Sequence, residues 1–415
     1  METVDALVVG AGPAGSTTAF ELASRGHDVL VIEEHGRVGY PVQCAGLVSQ
    51  RVLDLAGGRG FVRRPVHGAT VLSPGLNSLS FRASDPRAFV IDRAGLDIHL
   101  ADRAARAGAR YATGTKFDRL GEYGPDGVEV RLRDGGDHER TLRARVVVGA
   151  DGVASAVARA FRLRRPVEIL PAFEAEFPMG TTDPDVVDVY LGQQISPGLF
   201  GWSIPDGSGG SRVGVAVEPS ATSARAYFDR LVSQVERRTG TSLRNATSYL
   251  VSGIPIGSLP HTSGDRVVLV GDAAAQVKPL SGGGIFTGMR CAQIAAAVVS
   301  ECLAAGDLSG HRLAAYDRAW RSELGDEFQQ ALRLRRIFLR LSDADLERIV
   351  EALKASGMRE SIVAFGDIDF PSHVAGQLLR QSPSLLRLVP KALGALAGSG
   401  GQRAPDLDPG PRRDA

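Results

Sequence analysis

The chain has 415 residues, 43% of them hydrophobic and 23% charged, with a formal net charge of +1. That length suits two interleaved or consecutive domains with a sizeable core, and the balanced charge argues against a nucleic-acid partner. Three cysteines (Cys44, Cys291 and Cys302) make no disulfide framework, no signal-peptide pattern precedes the first apolar run, and no run approaches the ~20 apolar residues that span a bilayer. A reducing interior and a soluble or at most peripheral protein are expected.

The chain opens on an apolar run, Ala6-Leu7-Val8-Val9, which stops at Gly10-Ala11-Gly12-Pro13-Ala14-Gly15. A helix-compatible stretch follows, then a second apolar run, Val29 to Ile32, ending on Glu33. The order is strand, glycine turn, helix, strand, acid. Gly10 permits the tight turn, Gly12 lets a pyrophosphate approach the backbone, and Gly15 lets the helix pack close. The helix N-terminus offers free N–H groups and a positive dipole end to the phosphates, and Glu33 is placed to accept from an adenosine ribose.

The next segment, His35 to Leu47, is too rich in glycine and proline for a helix or a central strand and reads as a loop. It leaves the carboxyl end of the second strand, where open sheets bind ligands. Cys44 within it is either a weak acid beside a cofactor or a small apolar residue filling a gap. Short strand-like pieces from Phe61 to Val90 suggest a β insertion. Arg93 stands at the strand-to-helix junction that follows, facing a cofactor phosphate or ribose, or else paired with Asp92 or Asp97. Residues 128–132 and 141–148 read as a hairpin around Asp134-Gly135-Gly136, ending in Gly149-Ala150-Asp151-Gly152.

Residues 168–252 form another β-rich block, with a helix from Ala224 to Arg237. There Phe200, Trp202 and Ile204 share a face by period two, as sheet core or as a ligand wall. A second anchor spans Asp265 to Cys302: a strand, Gly271-Asp272-Ala273-Ala274, the glycine loop Pro279 to Gly284, and a long helix from Ile285. Asp272 can accept from a ribityl hydroxyl, and the N–H groups near Gly284 and Ile285 can meet a flavin's pyrimidine edge. The C-terminal third reads as helices over 313–341 and 343–356, with a weaker pattern over 373–396 that is either a helical cover or a membrane-surface contact. Residues 398–415 have the composition of a disordered tail. The histidines show no metal spacing.

Taken together, the opening fingerprint, Gly149-Ala150-Asp151-Gly152 and Gly271-Asp272-Ala273-Ala274…Pro279…Gly282-Gly283-Gly284 resemble the FAD-dependent para-hydroxybenzoate hydroxylase fold group. Within it, Pro41-Val42-Gln43-Cys44-Ala45-Gly46-Leu47 resembles the loop of the geranylgeranyl reductases, especially the archaeal type acting on digeranylgeranylglycerophospholipids. That family carries an aromatic–x–Trp–x–Phe–Pro stretch, then Gly-x-Gly, lining its lipid pocket. Here the stretch is Phe200-Gly201-Trp202-Ser203-Ile204-Pro205, with Gly214-Val215-Ala216 downstream. The usual tyrosine, phenylalanine and last glycine are replaced by Phe200, Ile204 and Ala216.

The resemblance implies an α/β fold in which a Rossmann-type FAD-binding domain (1–60, 92–165 and 253–310) is interleaved with a β-sheet substrate domain (61–91 and 166–252), followed by helices over 311–397. It implies FAD contacts from Ala14, Glu33, Arg93, Asp272, Gly284 and Ile285, with Cys44, Ala45 and Leu47 at the isoalloxazine end. Phe200, Trp202, Ile204 and Pro205 are the implied substrate residues. The expected reaction is saturation of isolated double bonds in geranylgeranyl chains, with hydride from reduced flavin and a proton from Cys44 or a relay. The electron donor is left open among NAD(P)H, ferredoxin and a deazaflavin. The alternative is a monooxygenase or halogenase, since the Trp-x-Ile-Pro stretch is also similar to the halogenase box. A halogenase needs a tunnel lysine, for which only Lys116 and Lys278 offer themselves. Lys278, beside Pro279, reads as a flavin-side or surface charge.

Overall fold

A computed structural model describes residues 1–373 apart from 137, 167, 181–182 and 356–358. The pattern noted over 373–396 therefore lies almost wholly outside the described residues, as does the tail.

The apolar runs of the first half cannot face water on either side, and they form a parallel sheet covered on both faces. Strands Glu2–Val9, Val29–Glu33, Arg110–Thr113, Glu139–Gly149 and Val267–Leu269 pair in parallel, with Glu2–Val9 between Glu139–Gly149 and Val29–Glu33. Period two divides their side chains. Ala6, Val8, Val29, Val31, Val146 and Val148 enter a core shared with the helices Pro13–Ala23, Arg93–Arg106, Ile285–Ala305 and Gly310–Phe338. Leu7, Val9, Leu30, Ile32 and Val147 face the other way, onto Phe117, Val128, Val130 and Leu132. Those residues belong to an antiparallel meander, Thr115–Gly124 and Gly127–Asp134, the second of which pairs with Glu139–Gly149 as the expected hairpin. Each such fully buried Val or Leu contributes roughly 1.5–3 kcal/mol.

A second sheet of seven strands runs Ser248–Ile256, Glu168–Phe177, Ser211–Ala216, Gly201–Pro205, Val186–Tyr190, Gly68–Leu72, Ser78–Arg82. Two segments far apart in the chain thus build one layer. One face is covered by the helix Ala224–Thr239, through Phe228, Leu231 and Val235 against Ala175, Phe177, Val213 and Val215. The opposite face carries Trp202 and Ile204, which meet Ala45, Leu47 and Val90 at a small antiparallel sheet formed by Leu47–Val48, Ala88–Ile91 and Val62–Val66.

Helix Ile285–Ala305 is the one helix among the described residues long and apolar enough to cross a membrane, a feature the sequence reading had not found. Over its most apolar 18-residue window 56% is buried inside the protein, and Met289, Cys291, Ala295, Ala296 and Val299 pack on the parallel sheet.

Candidate active site

The carboxyl ends of the parallel strands carry two helix starts of the same kind. Helices beginning at Gln50, Arg93, Ala156, Ala224 and Gly310 are capped by side chains of Ser49, Asp92, Ser155, Ser223 and Ser309. Helices Pro13–Ala23 and Ile285–Ala305 instead begin on Gly12 and Gly284, with no side-chain cap. Their first N–H groups and positive dipole ends are left to a ligand. The glycine turn is built for this. Gly10 has φ +101°, and a side chain there would run into the Ala150 carbonyl, whereas a Cβ at Gly12 would meet nothing within 4 Å. Gly15 packs directly on the Gly10 carbonyl. Ala14 and Gly271 stand together between the two helix starts, a Cβ at Gly271 lying 3.0 Å from that of Ala14. Glu33 accepts from Ala11 N at 3.0 Å and from His35 N at 3.0 Å, tying the turn to the loop that follows.

Asp272 sits in a 3-10 turn, Gly271–Ala274, and its carboxylate has no hydrogen-bond partner among the described residues. Burial pushes its pKa up to about 6, against the pull of Arg93. Arg93 forms its ion pair with Asp97, while Asp92 caps the helix at Gly95 N and pairs with Arg63. Both readings of Arg93 therefore have a counterpart. It is neutralised by Asp97, yet its Nε, Asp97 Oδ1 and Ser281 Oγ are buried without partners. Orphaned polar atoms of this kind are rare in a finished interior. With two uncapped helix starts and a lone carboxyl between them, the residues present fit a dinucleotide carrying a polyol arm.

Cys44 lies in the irregular segment after Glu33, which holds a cis peptide at Tyr40–Pro41. The thiol is free and accepts from Gly46 N at 3.4 Å. Burial raises its pKa, with Arg93, Gly46 and Arg212 pulling it down and Glu174 adding to the rise. Gly46 turns the chain at φ +70°, close against the Arg212 guanidinium, which donates to Ala45 O at 2.9 Å and Ile91 O at 3.1 Å. Ala45 and Leu47 pack with Val66, Val90, Val187, Ile204 and Trp202. Phe200 and Trp202 meet edge to face at 6.3 Å, so three of the four residues from the second sheet share the expected face. Pro205 falls on the alternate register, at the end of its strand.

Several residues at the site escaped the sequence reading. Glu174 is 3% exposed and accepts from Trp202 Nε1 at 2.6 Å. Its signal was present in Phe173-Glu174-Ala175-Glu176, where acids alternate with apolar residues, but its partner lies 28 residues away. Gln276 accepts from Gly271 N at 2.9 Å and donates to Tyr316 at 2.7 Å, bracing the Asp272 turn from beneath. Ile368, near the end of the described chain, joins the Ala45–Trp202 cluster. Its segment is pinned by Arg51 to Asp367 and Lys278 to Asp369, and by Phe370 against Phe286.

Lys278 is therefore no surface charge. It is 5% exposed in an ion pair with Asp369 and donates to Ile368 O at 2.8 Å. Lys116 is 67% exposed and pairs with Glu34. Neither stands free in the apolar cluster. A cleft of about 700 Å³ opens elsewhere on the second sheet, lined by Thr70, Phe81, Arg82, Asp188 and Arg238. Both of its arginines are matched internally, Arg82 by Asp183 and Arg238 by Asp188.

Comparison with known proteins agrees with this geometry. The FAD binding domain family matches residues 3–323. Digeranylgeranylglycerophospholipid reductase 1 of Methanothermobacter thermautotrophicus is 33% identical over 402 residues, covering 94% of this chain and 96% of that protein. A digeranylgeranylglycerophospholipid reductase 2 of Methanopyrus kandleri is 33% identical, covering 92% and 98%. Among solved structures, a geranylgeranyl bacteriochlorophyll reductase-like protein from Thermoplasma acidophilum aligns with a TM-score of 0.82 at 25% identity, over 94% of this chain and all of that one. A flavin-dependent brominase, Bmp2, aligns at 0.69 with 16% identity over 92% of this chain and all of that one, a likeness of fold alone. The chain binds FAD, and it belongs to the digeranylgeranylglycerophospholipid reductase family of FAD-binding oxidoreductases.

Proposed function

We propose that this flavoprotein saturates isolated C=C bonds of geranylgeranyl chains carried on a glycerophospholipid or a prenyl (di)phosphate. The observation that carries this reading is the seating of the Cys44 turn. Cys44 has Arg93 beside it, and the Ala45 and Leu47 that follow pack in an apolar cluster with Trp202 and Ile204 of the second sheet.

Bound FAD, once reduced, supplies a hydride. The rest falls to the chain. An isolated trisubstituted alkene has no carbonyl to polarise, so the protein must hold the chain still, keep water out and furnish a proton. Ala45, Leu47, Ile204 and Trp202 are the apolar walls in this reading. Cys44 is the proton donor: burial raises its pKa above the ordinary thiol range, which keeps S–H protonated at neutral pH. Arg212 holds the turn through Ala45 O. The electron donor is NAD(P)H, ferredoxin or a deazaflavin, and the protein works in the cytoplasm with peripheral contact at the membrane that holds its substrate.

The test is an anaerobic single turnover. FAD-loaded protein is reduced with dithionite, excess reductant is removed, and a geranylgeranyl glycerolipid is added under argon. Flavin reoxidation matched by gain of two hydrogens per bond in the lipid mass spectrum supports the reading. Reoxidation by oxygen alone, with an aromatic substrate oxygenated or halogenated, would replace it with the monooxygenase or halogenase reading.

A further inference from the structure

Alkene reduction by a thiol leaves a thiolate that must regain its proton in a dry place, and the second sheet carries an acid in a position to serve it. Glu174 is 3% exposed and pairs across the sheet with Gly214. The absence of a side chain at Gly214 is what admits the Trp202 indole, whose Nε1 donates to Glu174 Oε2 at 2.6 Å. Trp202 is the one hydrogen-bond partner of that carboxyl among the described residues.

Glu176, two residues on and on the same face, accepts from Arg212 Nε at 2.9 Å. Arg212 passes on to Ala45 O and Ile91 O, beside Cys44. Glu174, Trp202, Glu176 and Arg212 thus share one face of the sheet, which reaches the Cys44 turn through Arg212 on Ala45 O and through Trp202 packed with Ala45. The charged groups around the pair are Arg212 and Glu176 from the second sheet, and Arg93 from the helix packed on the Cys44 turn. Asp272 lies beyond Arg93.

We propose that Glu174 is the proton reservoir for Cys44. It acts on the thiol and not on the alkene, and so is a positioning residue. The inference rests on the alkene-reduction reading. In the step it serves, the S–H bond of Cys44 breaks as a C–H bond forms at one alkene carbon, while hydride from reduced flavin completes the other. The thiolate then takes the proton from the Glu174 O–H, and solvent restores the carboxyl.

The environment suits a group that changes charge near neutrality. Burial pushes the Glu174 pKa up to about 7, with Glu176 adding to the rise and Trp202 and Arg212 opposing it. A carboxyl poised there is both a competent acid and an easily recharged one.

Two measurements on full-length, FAD-loaded protein test this. The first needs no turnover: iodoacetamide labelling of Cys44, followed by mass spectrometry across the neutral and alkaline range. In Glu174→Gln the side chain still accepts from Trp202 but carries no charge. The Cys44 labelling midpoint then moves down by about one pH unit, a roughly tenfold faster labelling below both midpoints. The second is repeated turnover of a geranylgeranyl glycerolipid under argon with dithionite in excess, as a function of pH, since every cycle after the first must recharge Cys44. In the wild type the rate falls as pH rises through about 7, where Glu174 loses its proton. In Glu174→Gln it is about tenfold slower and flat through that range.

Trp202→Phe removes a hydrogen bond that favours the carboxylate, so the same limb moves to higher pH. This variant carries the test if Glu174→Gln does not fold. An unmoved labelling midpoint together with an unmoved pH limb overturns the reservoir role, even where the rate drops. If instead wild-type reduced flavin is not reoxidised by the lipid, the alkene-reduction reading fails, and the labelling shift still reports whether Glu174 governs the thiol.

Discussion

The parallel sheet and the second sheet build their halves of the site by different means. On the parallel sheet the groups proposed to bind FAD are mostly backbone: helix starts at Gly12 and Gly284 with no side-chain cap, a turn made possible by Gly10, and small residues beside them. On the second sheet they are side chains carried by register. Glu174, Arg212 and Trp202 come from three strands, Glu174 held by Trp202 and Arg212 by Glu176 and the Ala45 carbonyl. The first arrangement tolerates many ligand-side variations, since backbone is common to every residue. The second fixes one chemistry, because a change in any member leaves a buried polar group without its partner.

The largest effect expected in breaking this comparison falls on the thiol. Cys44→Ser retains FAD and the yellow colour but loses about a hundredfold or more of its single-turnover rate with a geranylgeranyl lipid, because a serine hydroxyl is a far weaker acid. Flavin absorbance and rapid mixing read the two parts separately. Next is the backbone site. A Cβ at Gly12 meets no protein atom within 4 Å, so Gly12→Ala should leave the flavin-free melting temperature nearly unchanged. It should still weaken FAD binding by roughly ten- to a hundredfold, by titration, because the methyl lies where phosphate approaches.

Arg212→Gln tests the side-chain half. It loosens the Ala45 carbonyl and unpairs Glu176, so turnover should drop about tenfold at full flavin occupancy, with roughly 1–3 kcal/mol of stability lost in denaturant unfolding. The smallest effect sharpens the comparison at Asp272. Its folded pKa, about 6, lies above the ordinary carboxylate value, so the stability of the flavin-free fold is fully present at acid pH and is lost as pH rises through about 6. Flavin-free Asp272→Asn should therefore melt above the wild type at pH 7 and match it near pH 4, a difference of order 1–2 kcal/mol, while binding FAD less tightly.

The same contrast explains what could be read before folding. Backbone sites leave a local trace, because Gly10, Gly12 and Gly15 must be glycine within six residues and Glu33 must follow at one strand's distance. The hairpin at 128–132 and 141–148 and the long helices were legible for a similar reason, since period two and the helical period are local patterns, whereas the strand Thr115–Gly124 was not read. Trp202 and Ile204 were placed on one face by the same rule. Glu174 was not legible as a site residue, because its environment comes from strands at 201–205 and 211–216 whose register the sequence does not announce. The surface reading of Lys278 failed for the same reason: Asp369, which pairs with it in the interior, lies 91 residues further on. The open choice at Arg93 had no single answer, since pairing with Asp97 leaves its Nε available.

The central claim is one of place: the isoprenoid chain lies between the Cys44 turn and the Trp202 face. A crystal structure of the FAD-loaded protein with a geranylgeranyl glycerolipid tests it most directly. The account predicts a double bond of the lipid beside Cys44, with Ala45, Leu47, Trp202 and Ile204 in contact. Finding the chain instead in the cleft lined by Thr70, Phe81 and Arg82, with the Cys44 turn closed against protein alone, would contradict it.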